Sequence, residues 1–276
     1  MCSITERRRK NSTGYRRRWP RIRIPGLDGE WSAALAYALG LLATDGGLTG
    51  GDTVAFKSKD RELVETLRSC LGAAAPIRPN AGLQRIQMGD VRFYDWLESI
   101  GVTSRKSLTL GAVAVPSEFF FDLVRGLLDG DGSVLVQEVT PNPRRYPLHR
   151  YQQLRVRFHC ASPRHLDWLR AELLARLGIV GWIYTNRGSG LARVHVLQYS
   201  KHESITLLET LYAVDGAPRL DRKWSTWNDF RVRGRPTRIW TDRRSDETGR
   251  HSGLKIPWAQ AREGSNPSSG TELASR

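Results

Sequence analysis

The chain repeats itself once, and that repeat limits what it can fold into more than any residue propensity does. LGLLATDGGL at 39–48 is echoed by RGLLDGDGSV at 125–134, each after an apolar stretch of helical character, ALAYALGLLA and FFFDLVRGLL. Downstream, SKDRELVETLRSCLG (58–72) matches SPRHLDWLRAELLARLG (162–178), two amphipathic patterns that open on a Ser N-cap candidate and close on Gly. Short alternating segments follow, LQRIQM in the first half and GWIYTN with ARVHVLQY in the second. Each half then has a further helix pattern, VRFYDWLESIG and HESITLLETLYA, and a Lys-bearing segment, SRKSLTL and DRKWSTW. The order helix, strand, helix, strands, helix is an α+β unit used twice. Tandem helical arrays need at least three copies, so two copies predict a pseudo-dimer in one chain. The second half is the longer, and PNPRRYPLHR marks a loop between its strands SVLVQEV and QLRVRFH.

In both copies the long apolar helix ends at Asp-Gly, Asp45-Gly46 and Asp131-Gly132. Glycine suits a helix C-terminus. Aspartate does not, because the macrodipole makes that end negative. A carboxylate placed there twice, after helices apolar enough to be buried, is destabilising unless a cation is bound. The same helices carry small residues, Ala36, Gly40 and Ala43 in the first, Gly126 and Gly130 in the second. An interior Gly costs about 1 kcal/mol relative to Ala, and close packing of the two helices supplies the reason. Packed in parallel, they bring Asp45 and Asp131 to one edge as a carboxylate pair suited to Mg²⁺, which takes few carboxylates plus water and phosphate oxygens.

The formal charge of +15 is concentrated at the ends. Residues 1–25 hold nine Lys/Arg against one acid, and 231–276 hold ten against five, so the body between them is nearly neutral. Basic arms of this kind provide sequence-independent phosphate attraction and leave readout to the body. The longest apolar run, Ala33–Ala43, contains eleven residues, and about 18 are needed to cross a bilayer. No membrane span is expected. Three cysteines without a C-x-x-C pair argue against a disulfide scaffold or a cysteine zinc site. MCSITERRRK has no apolar stretch behind it, so the protein is not expected to be secreted. A cytoplasmic, nucleoid-associated or organellar location is expected.

ALGLLATDG (38–46) and VRGLLDGDG (124–132) resemble the two LAGLIDADG motifs of homing endonucleases in their single-chain, two-repeat form. The resemblance spans about residues 30–230. It implies two pseudo-symmetric repeats, each packing helices on a small antiparallel sheet, joined through a central two-helix interface. The expected organisation is a basic N-terminal arm (1–25), a first repeat (26–115), a second repeat (116–230) and a basic, largely disordered tail (231–276). It further implies a monomeric, site-specific double-strand DNA endonuclease of a mobile intron or similar element, with Mg²⁺ or Mn²⁺ held by Asp45 and Asp131. The family keeps a basic residue near each active centre, and Lys106 and Lys223, each in an Arg-Lys pair at matching places, fill that role. Ala43 stands where the first motif has its first acidic residue, which is Asp129 in the second. Arg125 occupies a usually small or apolar place and is expected to loosen the helix packing on one side.

Alternation along the strands puts Arg155, Arg157 and His159 opposite Leu154, Val156 and Phe158, and Arg193 and His195 opposite Val194 and Val196. In the first half Lys57, Arg85 and Gln87 alternate with apolar residues. These eight side chains are the expected DNA contacts, since Arg suits guanine and Gln adenine in the major groove. Unequal halves imply a long, asymmetric target. No H-E-x-x-H spacing and no nucleophile elbow occur. The alternative is a nucleic-acid-binding regulator or RNA splicing cofactor on the same fold, with little or no cleavage.

Overall fold

The computed structural model describes residues 30–104, 106–140, 144, 151–187 and 193–233. The expected N-terminal arm, and all of the expected tail beyond residue 233, lie outside them.

Helix α1 (Ala33–Asp45) starts at Ser32, whose hydroxyl oxygen accepts the Leu35 amide N–H at 3.1 Å. Leu35 to Ala43 are all buried. A helix apolar on every side belongs inside a core. The first half continues with β1 (Gly46–Thr49), β2 (Thr53–Ser58), α2 (Arg61–Cys70), β3 (Ile77–Asn80), β4 (Leu83–Gly89), α3 (Val91–Ser99) and the one-turn α4 (Lys106–Thr109). The second half repeats that order with α5 (Phe120–Asp131), β5 (Ser133–Val139), β6 (Tyr151–Cys160), α6 (Pro163–Leu177), β7 (Trp182–Arg187), β8 (Arg193–Tyr199), α7 (Lys201–Leu211) and α8 (Asp221–Arg233). The architecture is α+β, with two four-stranded antiparallel sheets of matching order, β1-β2-β4-β3 and β5-β6-β8-β7.

β3 was not expected, because IRPN carries Pro79; it forms at the edge of its sheet, where a missing N–H is tolerated. The caps meet expectation in part. α2 begins after Asp60 instead of Ser58, whose hydroxyl accepts the Asp60 N–H; Ser162 is the N-cap residue of α6 as expected, though its hydroxyl donates to the Leu110 carbonyl of the first half at 2.6 Å in place of accepting a helix N–H.

α1 and α5 pack against each other in parallel. A Cβ added to Gly126 would meet the Tyr37 carbonyl and come within 3.0 Å of the Gly40 Cα; one on Gly40 would meet the Leu123 carbonyl and come within 2.7 Å of the Leu127 amide nitrogen. One turn further along both helices, Gly130 faces the Thr44 side chain. Ala36, one turn before Gly40, is fully buried. The next residues after the Thr44–Gly130 pair are Asp45 and Asp131. On one face of each sheet Val54, Phe56, Ile86 and Met88, and Val156, Phe158, Leu197 and Tyr199, enter a single buried cluster with both central helices.

Arg125 does not loosen this interface. It is buried, and its guanidinium donates to the Pro218 carbonyl (2.8 Å), the Leu211 carbonyl (2.9 Å) and the Asp122 carboxylate (2.5 Å), stapling α5 to α7 and the segment after it. An arginine with satisfied donors and a paired charge is tolerated inside. Among the described residues no helix is long and apolar enough to cross a membrane.

Candidate active site

Asp45 and Asp131 are the last residues of the two central helices, Asp45 partly buried and Asp131 reaching the surface. Among the described residues neither carboxylate accepts a hydrogen bond. Burial, and then the Asp131 charge, push the Asp45 carboxyl up to about 6, against the opposing pull of Lys106 and Lys223. Burial raises Asp131 as well, opposed first by Lys106, then by His159 and Lys223. At the negative ends of two helices both carboxyls are held above their ordinary range, an arrangement that favours a nearby cation. No group of three or more His, Cys, Asp or Glu among the described residues could hold a metal ion by itself. The pair therefore fits a hard dication that takes its remaining ligands from main-chain, water or phosphate oxygens.

Lys106 and Lys223 are both buried. The Lys106 Nζ donates to the Ala43 carbonyl at 2.9 Å and to the Thr44 carbonyl, and the Lys223 Nζ to the Leu128 and Asp129 carbonyls at 2.6 and 2.8 Å. Each lysine thus closes the end of its own half's central helix, where orphan carbonyls and the dipole favour a cation. Burial lowers both ammonium groups, Lys223 to about 8.

Asp129, two residues before Asp131, is almost completely buried and links the halves: its Oδ2 accepts the Tyr37 hydroxyl of α1 and the Leu220 N–H just before α8, both at 2.8 Å. Neither tie is legible from sequence, since each joins residues some ninety apart. A cavity of about 20 Å³, room for one water, lies beside Asp131 and Thr44 and is bordered by Phe158, His159, Cys160 and His165.

The strand register decides which predicted DNA contacts share a face, because directly opposed residues point the same way. Lys57 opposes Arg85 and Ala55 opposes Gln87, so Lys57, Arg85 and Gln87 lie together on the face of the first sheet turned away from the core. On the second sheet Arg155, Arg157 and His159 share the corresponding face. His159 there donates from Nδ1 to the Asp131 carbonyl at 2.8 Å, which ties the strand to the carboxylate end. Arg85 and Arg155 each bury an Nε with no hydrogen-bond partner.

Arg193 and His195 do not join them. Arg157 opposes Gln198 and His159 opposes Val196, while His195 opposes Cys160 and Thr185, so Arg193 and His195 fall on the face of Leu197 and Tyr199. The His195 Nδ1 sits 3.0 Å from the Thr185 hydroxyl. Their places on the outer face are taken by Gln198, Tyr184 and Trp182, with the Gln198 side-chain oxygen accepting from the Arg157 Nε at 2.5 Å. Alternation within a strand is readable from sequence; the register across strands that would have found Gln198 is not.

No family model and no curated protein sequence matches the chain. Solved structures do resemble it. It is similar to the LAGLIDADG homing endonuclease I-LtrWI, crystallised bound to target DNA, at 13% identity over 72% of this chain and 89% of that one, with a TM-score of 0.48. It is similar to full-length DUF199/WhiA from Thermatoga maritima at 14% identity over 78% and 73%, with a TM-score of 0.44. It is similar to I-DmoI, crystallised with DNA and Ca, at 16% identity over 71% of this chain and 97% of that one, with a TM-score of 0.48. The solved structures that this chain resembles thus include LAGLIDADG homing endonucleases.

Proposed function

We propose that this chain is a monomeric, site-specific endonuclease that hydrolyses both strands of a DNA duplex at a long, asymmetric target. The observation that carries the reading is the meeting of Asp45 and Asp131 at the ends of two parallel buried helices, without a hydrogen-bond donor among the described residues and with Asp45 driven up to about 6. Asp45 and Asp131 would hold Mg²⁺ or Mn²⁺. Such an ion, when bound, lowers the pKa of water and offsets the charge that builds on the phosphate. The chain's own residues do the rest. Lys106 and Lys223 hold the helix ends that present the carboxylates, and the His159 Nδ1 holds the Asp131 main chain from the neighbouring strand. Lys57, Arg85 and Gln87 on one sheet and Arg155 and Arg157 on the other offer base-edge and phosphate contacts. The two outer faces carry different side chains, which suits unequal half-sites.

The test is a supercoiled plasmid library with a randomised insert, incubated with the protein in Mg²⁺ or in EDTA. Linear product confined to Mg²⁺, lost in both Asp45→Asn and Asp131→Asn while gel-shift binding of the cut sequence persists, supports the reading. Binding to RNA or DNA with no cutting in Mg²⁺ or Mn²⁺ would favour a regulator or splicing cofactor instead.

A further inference from the structure

Two residues past each central-helix carboxylate, the two sheets share one frame and differ in its side chains. Ser133, two residues after Asp131, opposes Arg157 on β6, and Arg157 opposes Gln198 on β8. Gly47, two residues after Asp45, opposes Ala55 on β2, and Ala55 opposes Gln87 on β4. Arg157 and Ala55 are therefore counterparts, and so are Gln198 and Gln87. All four lie on the outer faces of their sheets.

The glutamine has a different task in each half. Gln198 is 3% exposed, and its Oε1 accepts the Arg157 Nε–H at 2.5 Å and the Tyr184 hydroxyl at 3.4 Å. The bond to Nε fixes the plane of the guanidinium and leaves its two terminal nitrogens, neither of which has a hydrogen-bond partner among the described residues. A planar fork held at its base offers those two donors side by side, the arrangement that the O6 and N7 acceptors of guanine take in a major groove. Gln87 has only the methyl group of Ala55 opposite it, is half-buried and makes no hydrogen bond among the described residues. Its amide keeps both an acceptor and donors, the pattern that adenine N6 and N7 complete.

We propose that the two halves read different bases at this equivalent position: Arg157, oriented by Gln198 as a positioning residue, takes a guanine on the side of the second half, and Gln87 takes an adenine on the side of the first. The two base pairs lie at matching distances from the centre of the target, because the frames that present them are matched. The proposal rests on reading the outer sheet faces as the surfaces that bind duplex DNA, and it gives each half-site a base identity.

The experiment mixes full-length protein with DNA duplexes carrying a randomised insert, in EDTA so that nothing is cut, and sequences the duplexes retained in a gel shift; circular dichroism melts check the fold of each variant. The sequences enriched by the wild type should hold one G·C and one A·T pair at equal distances from their centre. Arg157→Ala should reduce the guanine preference by about fivefold or more and leave the adenine preference in place. Gln198→Leu should weaken the guanine preference in the same way, whereas Gln198→Glu, which keeps an acceptor for Nε, should retain it. Gln87→Ala should remove the adenine preference alone. Ala55→Arg, which sets an arginine opposite Gln87, should turn that preference to guanine, and it serves if the Gln198 variants fold poorly. Arg157→Ala weakening every sequence alike, as loss of a phosphate contact would, or a guanine preference untouched by Gln198→Leu, would overturn the proposal. A wild-type protein that enriches no sequence would bring down the DNA-binding reading and the proposal with it, and that outcome is told apart because it precedes every variant.

Discussion

Asp45 is the residue on which the chemistry and the stability of this chain conflict. Its folded value of about 6 lies above the ordinary 3.8, so the stability that it contributes is complete below about pH 4 and is lost as the pH rises through 6. At pH 7 without a divalent ion, Asp45→Asn should therefore raise stability in urea melts, by up to about 3 kcal/mol; a loss would mean that the carboxylate serves folding. Glu203 shows the opposite sign. It accepts the Val180, Gly181 and Ser200 N–H groups at 2.9, 3.0 and 2.9 Å, and these bonds hold it near 2, below the ordinary 4.5. Its contribution is present above pH 4.5 and lost as the pH falls towards 2, so the melting-temperature gap between wild type and Glu203→Gln should close across that window. Arg125→Leu should cost about 3–5 kcal/mol, since it strands Asp122 and two carbonyls. Lys106 and Lys223 could be placed from sequence by their matching positions, but not their burial, because lysines are mostly exposed and the carbonyls that receive these two are far away along the chain.

At the scale of elements, the central helix pair was legible and much of the strand pairing was not. Glycines at 40, 126 and 130 are an outlay of helix propensity that only a close neighbour explains, and the neighbour is there. Gly126→Ala should cost about 3 kcal/mol or more in urea unfolding, because its Cβ meets the Tyr37 carbonyl and the Gly40 Cα, neither of which can rotate away. Gly130→Ala meets only the Thr44 side chain and should cost less. An equal or reversed order would contradict the packing. Periodicity found the polar stripes of β6 and β8 separately, yet a one-residue difference in register sends a whole stripe to the other face. Arg193 and His195 left the outer face in this way, and Gln198 took a place on it, buried against Arg157 and Tyr184.

Across the whole molecule, one chain supplies both carboxylates, both closing lysines and two sheets whose outer faces differ. If those faces bind a duplex as proposed, their phosphate contacts would make binding salt-dependent. Replacing Arg155 and Arg157 together by Ala should weaken duplex binding and flatten the slope of log affinity against log salt by about two, whereas Arg193→Ala should leave the slope unchanged; fluorescence anisotropy at several salt concentrations reads both. The central claim is that the Asp45 and Asp131 carboxylates belong to a single ion-binding centre. Anomalous diffraction from Mn²⁺ in crystals of the protein with its DNA tests it most directly. The account predicts Mn²⁺ liganded by the carboxylates of both residues at the ends of α1 and α5; Mn²⁺ bound elsewhere, or carboxylates turned away from each other with no ion on either, would contradict it.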